Sequence, residues 1–83
     1  MEAIRTKTTN AIYVGEGCND LPCTCFNFED GTPCIELCFR LNDDEMTQIT
    51  MNNGHLFIHL LGRAVPPMYL DTKSALENGG PEE

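Results

Sequence analysis

The chain has no tryptophan, and only five lysines and arginines stand against thirteen aspartates and glutamates. The shortage of bases excludes a general nucleic-acid binder, which needs a basic face to meet phosphates. No apolar run approaches the roughly 20 residues that a membrane-crossing helix needs. The opening Met-Glu-Ala-Ile-Arg-Thr-Lys-Thr-Thr has no apolar core of the signal-peptide kind. The signatures of common catalysts are missing too. There is no Gly-x-Gly-x-x-Gly, no phosphate loop, no His-Glu-x-x-His, and no Ser-His-Asp or Cys-His pair at a suggestive spacing. A protein that is not an enzyme is expected.

What is present is acidity, cysteine and alternation. The formal net charge is −8 over 83 residues. That suits a protein that meets a basic surface, and it also serves simply to keep a small protein soluble. A chain of this length makes one domain and buries only about 60–65% of its unfolded surface, so a homodimer is a natural supplement. Five cysteines, without a leader segment, point to free thiols in a reducing cytosol.

The apolar residues recur with period two over Cys34–Leu41. Ile35, Leu37, Phe39 and Leu41 take one face, and Cys34, Glu36, Cys38 and Arg40 the other. Cys23–Phe28 alternates in the same way, with Thr24, Phe26 and Phe28 on one face. Glu29-Asp30-Gly31-Thr32 lies between the two runs, and Asp-Gly there signals a hairpin. A two-residue turn at Asp30-Gly31 would set Phe26 opposite Ile35, Thr24 opposite Leu37 and Cys23 opposite Cys38. Phe26, Ile35, Leu37 and Phe39 would then form the core face, and Cys23, Cys25, Cys34 and Cys38 the opposite one. A longer loop shifts this register. Upstream, Ala11–Val14 reads as a short strand broken by Gly15-Glu16-Gly17, with a loop from Cys18 to Pro22.

The period then changes. Asn42 followed three residues later by Glu45 is a capping box, Asp43, Asp44 and Glu45 suit the positive end of a helix, and Asn53-Gly54 supplies a left-handed stop. Leu41 and Met46 are placed for a hydrophobic staple across the cap. The helix, near residues 43–52, is too short to persist alone in water and is expected to lie on a sheet. His55–Leu61, bracketed by Gly54 and Gly62, reads as a central strand with two apolar faces. Pro66-Pro67 ends it, and Met68–Leu70 is a candidate edge strand. The expected fold is a small single α+β domain over residues 1–70. It has an antiparallel sheet (hairpin about 23–41, strands about 55–61 and 68–70) under one helix, with a loose acidic tail over 71–83.

Four groups are candidate sites. Exposed acids at Asp43, Asp44, Glu45, Glu29 and Asp30 would steer association with a basic protein. Arg63, Arg40, His55 and His59 are the groups for an anionic ligand, since guanidinium pairs with phosphate or carboxylate. Cys23, Cys25 and Cys38 come within reach of one zinc ion in the expected register; their alternative role is as small buried apolar groups. Asp43-Asp44-Glu45 is also a candidate cation site, for which helix capping is the competing explanation. No cofactor is expected, with zinc as the alternative.

The run Leu41-Asn42-Asp43-Asp44-Glu45-Met46, then Ile49, Asn53-Gly54, Leu56-Phe57-Ile58-His59-Leu60-Leu61-Gly62 and Pro66-Pro67 resembles short bacteriophage and prophage accessory proteins. Those show strand, Asp-Glu-led helix, glycine, apolar strand and a proline pair. The resemblance implies a phage protein acting in the host cytoplasm by binding. The leading expectation is inhibition of a host defence protein through the acidic surface. The alternatives are an oligomeric sponge for a small anionic or nucleotide signal, and a zinc-stabilised structural module.

Overall fold

The computed structural model describes residues 1–14, 20–63 and 66–82. The expected break at Gly15-Glu16-Gly17, Cys18, and the Ala64-Val65 approach to the prolines lie outside the described residues. The fold is α+β. Its strands are β1 (Glu2–Ile4), β2 (Ala11–Tyr13), β3 (Leu21–Asn27), β4 (Pro33–Glu36) and β5 (Cys38–Arg40), followed by helix α1 (Asp43–Met51). Every pairing is antiparallel. β2, β3 and β4 form one sheet with β3 in the middle, and β1 pairs with β5 in a second. The run that reads as one strand from Cys34 to Leu41 is thus divided at Leu37, and its halves pair with different neighbours. Pro22 falls where β3 is paired on one side only, the kind of position a strand proline tolerates.

The β3–β4 hairpin forms in a register one residue away from the expected one. Thr24 faces Glu36, Cys25 faces Ile35, Phe26 faces Cys34 and Asn27 faces Pro33. The cause is the turn. Phe28 N–H donates to the Thr32 carbonyl and Gly31 N–H to the Phe28 carbonyl, leaving a three-residue loop, Glu29-Asp30-Gly31. Gly31 takes φ of 89°, the left-handed conformation of a type I turn closed by a bulge. A slip of one residue exchanges the faces of one strand relative to the other. The inward face is therefore Thr24, Phe26, Phe28, Cys34 and Glu36, all buried or half-buried, while Ile35 and Leu37 point outward and are 52% and 40% exposed. The expected core of Phe26, Ile35, Leu37 and Phe39 does not form, and neither does the four-cysteine face.

The interior that does form is small and largely polar. Among the described residues Cys23 is the buried apolar side chain, beside buried Thr6 and Thr24. Burying a hydroxyl is costly unless it is hydrogen-bonded, and these are. Thr8 and Thr24 share a hydrogen bond of 3.0 Å, the Thr6 hydroxyl lies 3.3 Å from those of Thr8 and Thr9, and Thr9 Oγ1 accepts from Thr6 N–H at 2.7 Å. Asn10 continues the β2–β3 ladder with its side chain: Oδ1 accepts from Cys25 N–H at 2.8 Å and Nδ2 donates to the Cys25 carbonyl at 2.9 Å. The segment from residue 71 runs back over the inward face. Glu36 accepts from the Ser74 hydroxyl at 2.6 Å and from Ala75 N–H at 2.7 Å. Pro81 bridges to Thr6, and Lys7 N–H donates to the Gly80 carbonyl. Gly79 is buried there; a Cβ on it would lie 2.0 Å from Ser74 Oγ.

Helix α1 has the caps its sequence announces. Asn42 Oδ1 accepts from Glu45 N–H at 2.8 Å, and Glu45 Oε1 accepts from Asn42 N–H at 3.1 Å. Asn53 and Gly54 both have positive φ, and Gly54 N–H reaches the Ile49 carbonyl at 2.7 Å. The expected packing on a sheet is absent, since none of its residues is buried. Beyond it the expected strands at 55–61 and 68–70 are replaced by chain without regular secondary structure. Alternating apolar residues make a strand only where an edge is available to pair with. None of the described backbone groups from Leu56 to Leu61 has a hydrogen-bond partner among the described residues. No helix of the described residues is long and apolar enough to cross a membrane.

Candidate functional site

The five candidate acids fall in two places. Glu29 and Asp30 form the hairpin loop and line a cleft of about 640 Å³ with Phe26, Phe28, Ala75 and Leu76. Phe26 and Phe28 meet edge to face there, 5.1 Å between centroids. Asp43 and Glu45 line a second cleft, of about 580 Å³, with Met1, Glu2, Arg40 and Asn42. Asp44 is exposed and lines neither.

Folding uses some of these acids and leaves others free. Glu45 closes the capping box and also accepts from the Met1 amino group. That amino group and the Asn42 N–H hold its carboxyl below the usual glutamate range. Asp30 Oδ1 accepts from Thr32 N–H at 2.9 Å, and this bond lowers its carboxyl likewise. Asp43, Asp44 and Glu29 make no hydrogen bond or ion pair with the described residues.

Neither cleft brings the anion-binding candidates together. Arg40 pairs with Glu2 directly across the β1–β5 ladder, while Arg63, His55 and His59 are exposed in the stretch after α1 and line neither cleft. The expected zinc set is divided as well. Cys23 and Cys25 are neighbours on one face of β3, whereas Cys38 pairs with Ile4 in the other sheet and Cys34 faces Phe26. The slipped register and the division at Leu37 separate them. The described residues hold no group of three His, Cys, Asp or Glu placed for a metal ion, and this covers Asp43-Asp44-Glu45. Burial pushes the Cys23 thiol up, the adjacent Cys25 adds to it, and its Sγ lies 3.7 Å from the Ala11 carbonyl.

Glu36 and Asn10 carry structural roles that pattern reading passed over. Glu36 had a signal: a lone carboxylate in an otherwise apolar alternating run needs a partner once it turns inward. Asn10, directly before a strand, had only its residue type. Against known protein families, curated proteins and solved structures, the chain matches none.

Proposed function

We propose that the chain is a non-enzymatic binding protein of the phage accessory kind. It works in the host cytoplasm and blocks a host defence protein by laying acids against that protein's basic surface. What supports this reading is that Asp43 and Asp44 stand exposed at the start of α1 without a partner among the described residues, although the helix is already capped through Asn42 and Glu45. Acids left over from folding raise the rate of encounter with a cationic partner. Glu29, at the hairpin tip, is a third acid of this kind. The sponge and zinc readings have less support, because Arg63, His55 and His59 line neither cleft and Cys38 lies in a different sheet from Cys23 and Cys25.

The test is capture of partners from the bacterial host, with the intact mass of the complex measured and the association rate followed against salt. A protein partner whose association slows with salt, and slows again in Asp43→Asn/Asp44→Asn, supports the reading. Salt-insensitive binding, or a complex whose extra mass is that of a small molecule, overturns it.

A further inference from the structure

The exposed surface of the chain is 7182 Å², whereas a folded monomer of 9.2 kDa exposes about 4,900 Å². Its radius of gyration is 14.0 Å, against about 12 Å for a compact domain of this length. The excess, about 2,200 Å² per chain, is what each member of a permanent dimer buries, since such interfaces withdraw roughly 2,000–5,000 Å² in total. Most of the large exposed apolar side chains lie between Met46 and Leu70, with Phe57 at 75% and Leu61 at 96%.

We infer that a second copy of this chain covers this arm, by antiparallel pairing of His55–Leu61 with the same segment about a two-fold axis centred on Ile58. Three observations select a second copy over a foreign partner. The arm is self-complementary. Reversed on itself, it sets Ile58 against Ile58, Leu56 against Leu60 and Phe57 against His59, which is what a two-fold interface requires. Its described backbone from Leu56 to Leu61 is unpaired, an open edge that an identical edge satisfies. Arg63 is its single Lys, Arg, Asp or Glu between residues 46 and 70, so two arms meet without bringing acids together, although the whole chains repel at −8 each.

Sedimentation and native mass measurement over a dilution series test the pairing. The wild-type chain should run at twice 9.2 kDa. Ile58→Lys and Ile58→Glu, each alone, should weaken self-association by about two orders of magnitude or more, because each buries two like charges against one another. Mixing the two variants should restore a pair, a rescue that misfolding does not produce. In the unmodified chain the Leu56–Leu61 amides should become protected from hydrogen exchange as concentration rises, which tests the pairing without any substitution. A wild-type chain that stays at one copy, an open-ended polymer, a dimer indifferent to both charges, or no rescue on mixing overturns the inference. Asp43→Asn/Asp44→Asn should leave self-association intact, so the two proposals fail separately.

Discussion

The sheets with their returning C-terminal segment, and the stretch from residue 46 to 70, are built on opposite principles. All thirteen acids of the sequence lie outside residues 46–70, and the first region is held by hydrogen bonds: the threonine cluster, the Asn10 side chain in the ladder, and Glu36 on Ser74 and Ala75. The second carries most of the large exposed apolar side chains and leaves them in water. In a self-sufficient small domain the apolar stretch is the core, because area removed from water is the main driving force. Here the two are separated. The lesson is that a run of apolar residues marks surface that must be covered and does not say by what.

That contrast can be broken or sharpened by perturbing one region at a time. The largest effect is expected from Gly79→Ala in the polar region. The added Cβ meets Ser74 Oγ at 2.0 Å and Ser74 Cβ at 2.8 Å, while Ser74 is itself engaged by Glu36. The loss should be about 2 kcal/mol in chemical denaturation, as for other overpacked sites. An unchanged midpoint would mean that the returning segment contributes nothing to stability.

Acidification should act on the same region more gently. Glu45 and Asp30 have lowered carboxyl pKa values in the folded chain. Their contribution is therefore complete above about pH 5 and is lost as pH falls through the carboxylate range. Asp30 is exposed and Glu45 is only half-buried, so the effect is small. Denaturation midpoints should fall on going from about pH 6 to about pH 3, with a shallower fall in Glu45→Gln. Equal slopes in the two proteins would remove Glu45 from the account.

The smallest effect belongs to the arm. Phe57→Ser, at a side chain 75% exposed, should change the stability of the dilute single chain by less than about 0.5 kcal/mol, as surface substitutions do. A larger loss under dilution, read by denaturation, would place Phe57 inside the fold and erase the distinction between the regions.

Local pattern was legible in this chain, and pairing was not. The caps of α1 follow directly from Asn42, Glu45, Asn53 and Gly54, because capping involves residues a few positions apart. Alternation within β3 and within β4 was also readable, as Thr24, Phe26 and Phe28 do share a face. The alignment of the two strands was not, since Asp30-Gly31 suits both a two-residue turn and a three-residue loop with a bulge. For His55–Leu61, periodicity describes which way side chains alternate but carries no information about whether an edge is present to receive them. The acids at Glu29, Asp30 and Asp43 are exposed, as read, whereas Glu45 is half-buried and engaged by Met1 and Asn42. Their division between two clefts follows from the register and from the separate β1–β5 sheet, neither of which is written locally.

The three-residue loop at Glu29-Asp30-Gly31 bears on how this chain can drift over generations. Surface loops ordinarily accept insertions and deletions. Here, dropping or adding one residue would rotate β4 by half a period, send the Glu36 carboxylate out to water, and free Ser74 and Ala75 from their acceptor. Descendants of this chain are free to respell that loop while keeping its count, because its length acts as a phase setting that couples one hairpin tip, through Glu36, to a serine 38 residues beyond that glutamate.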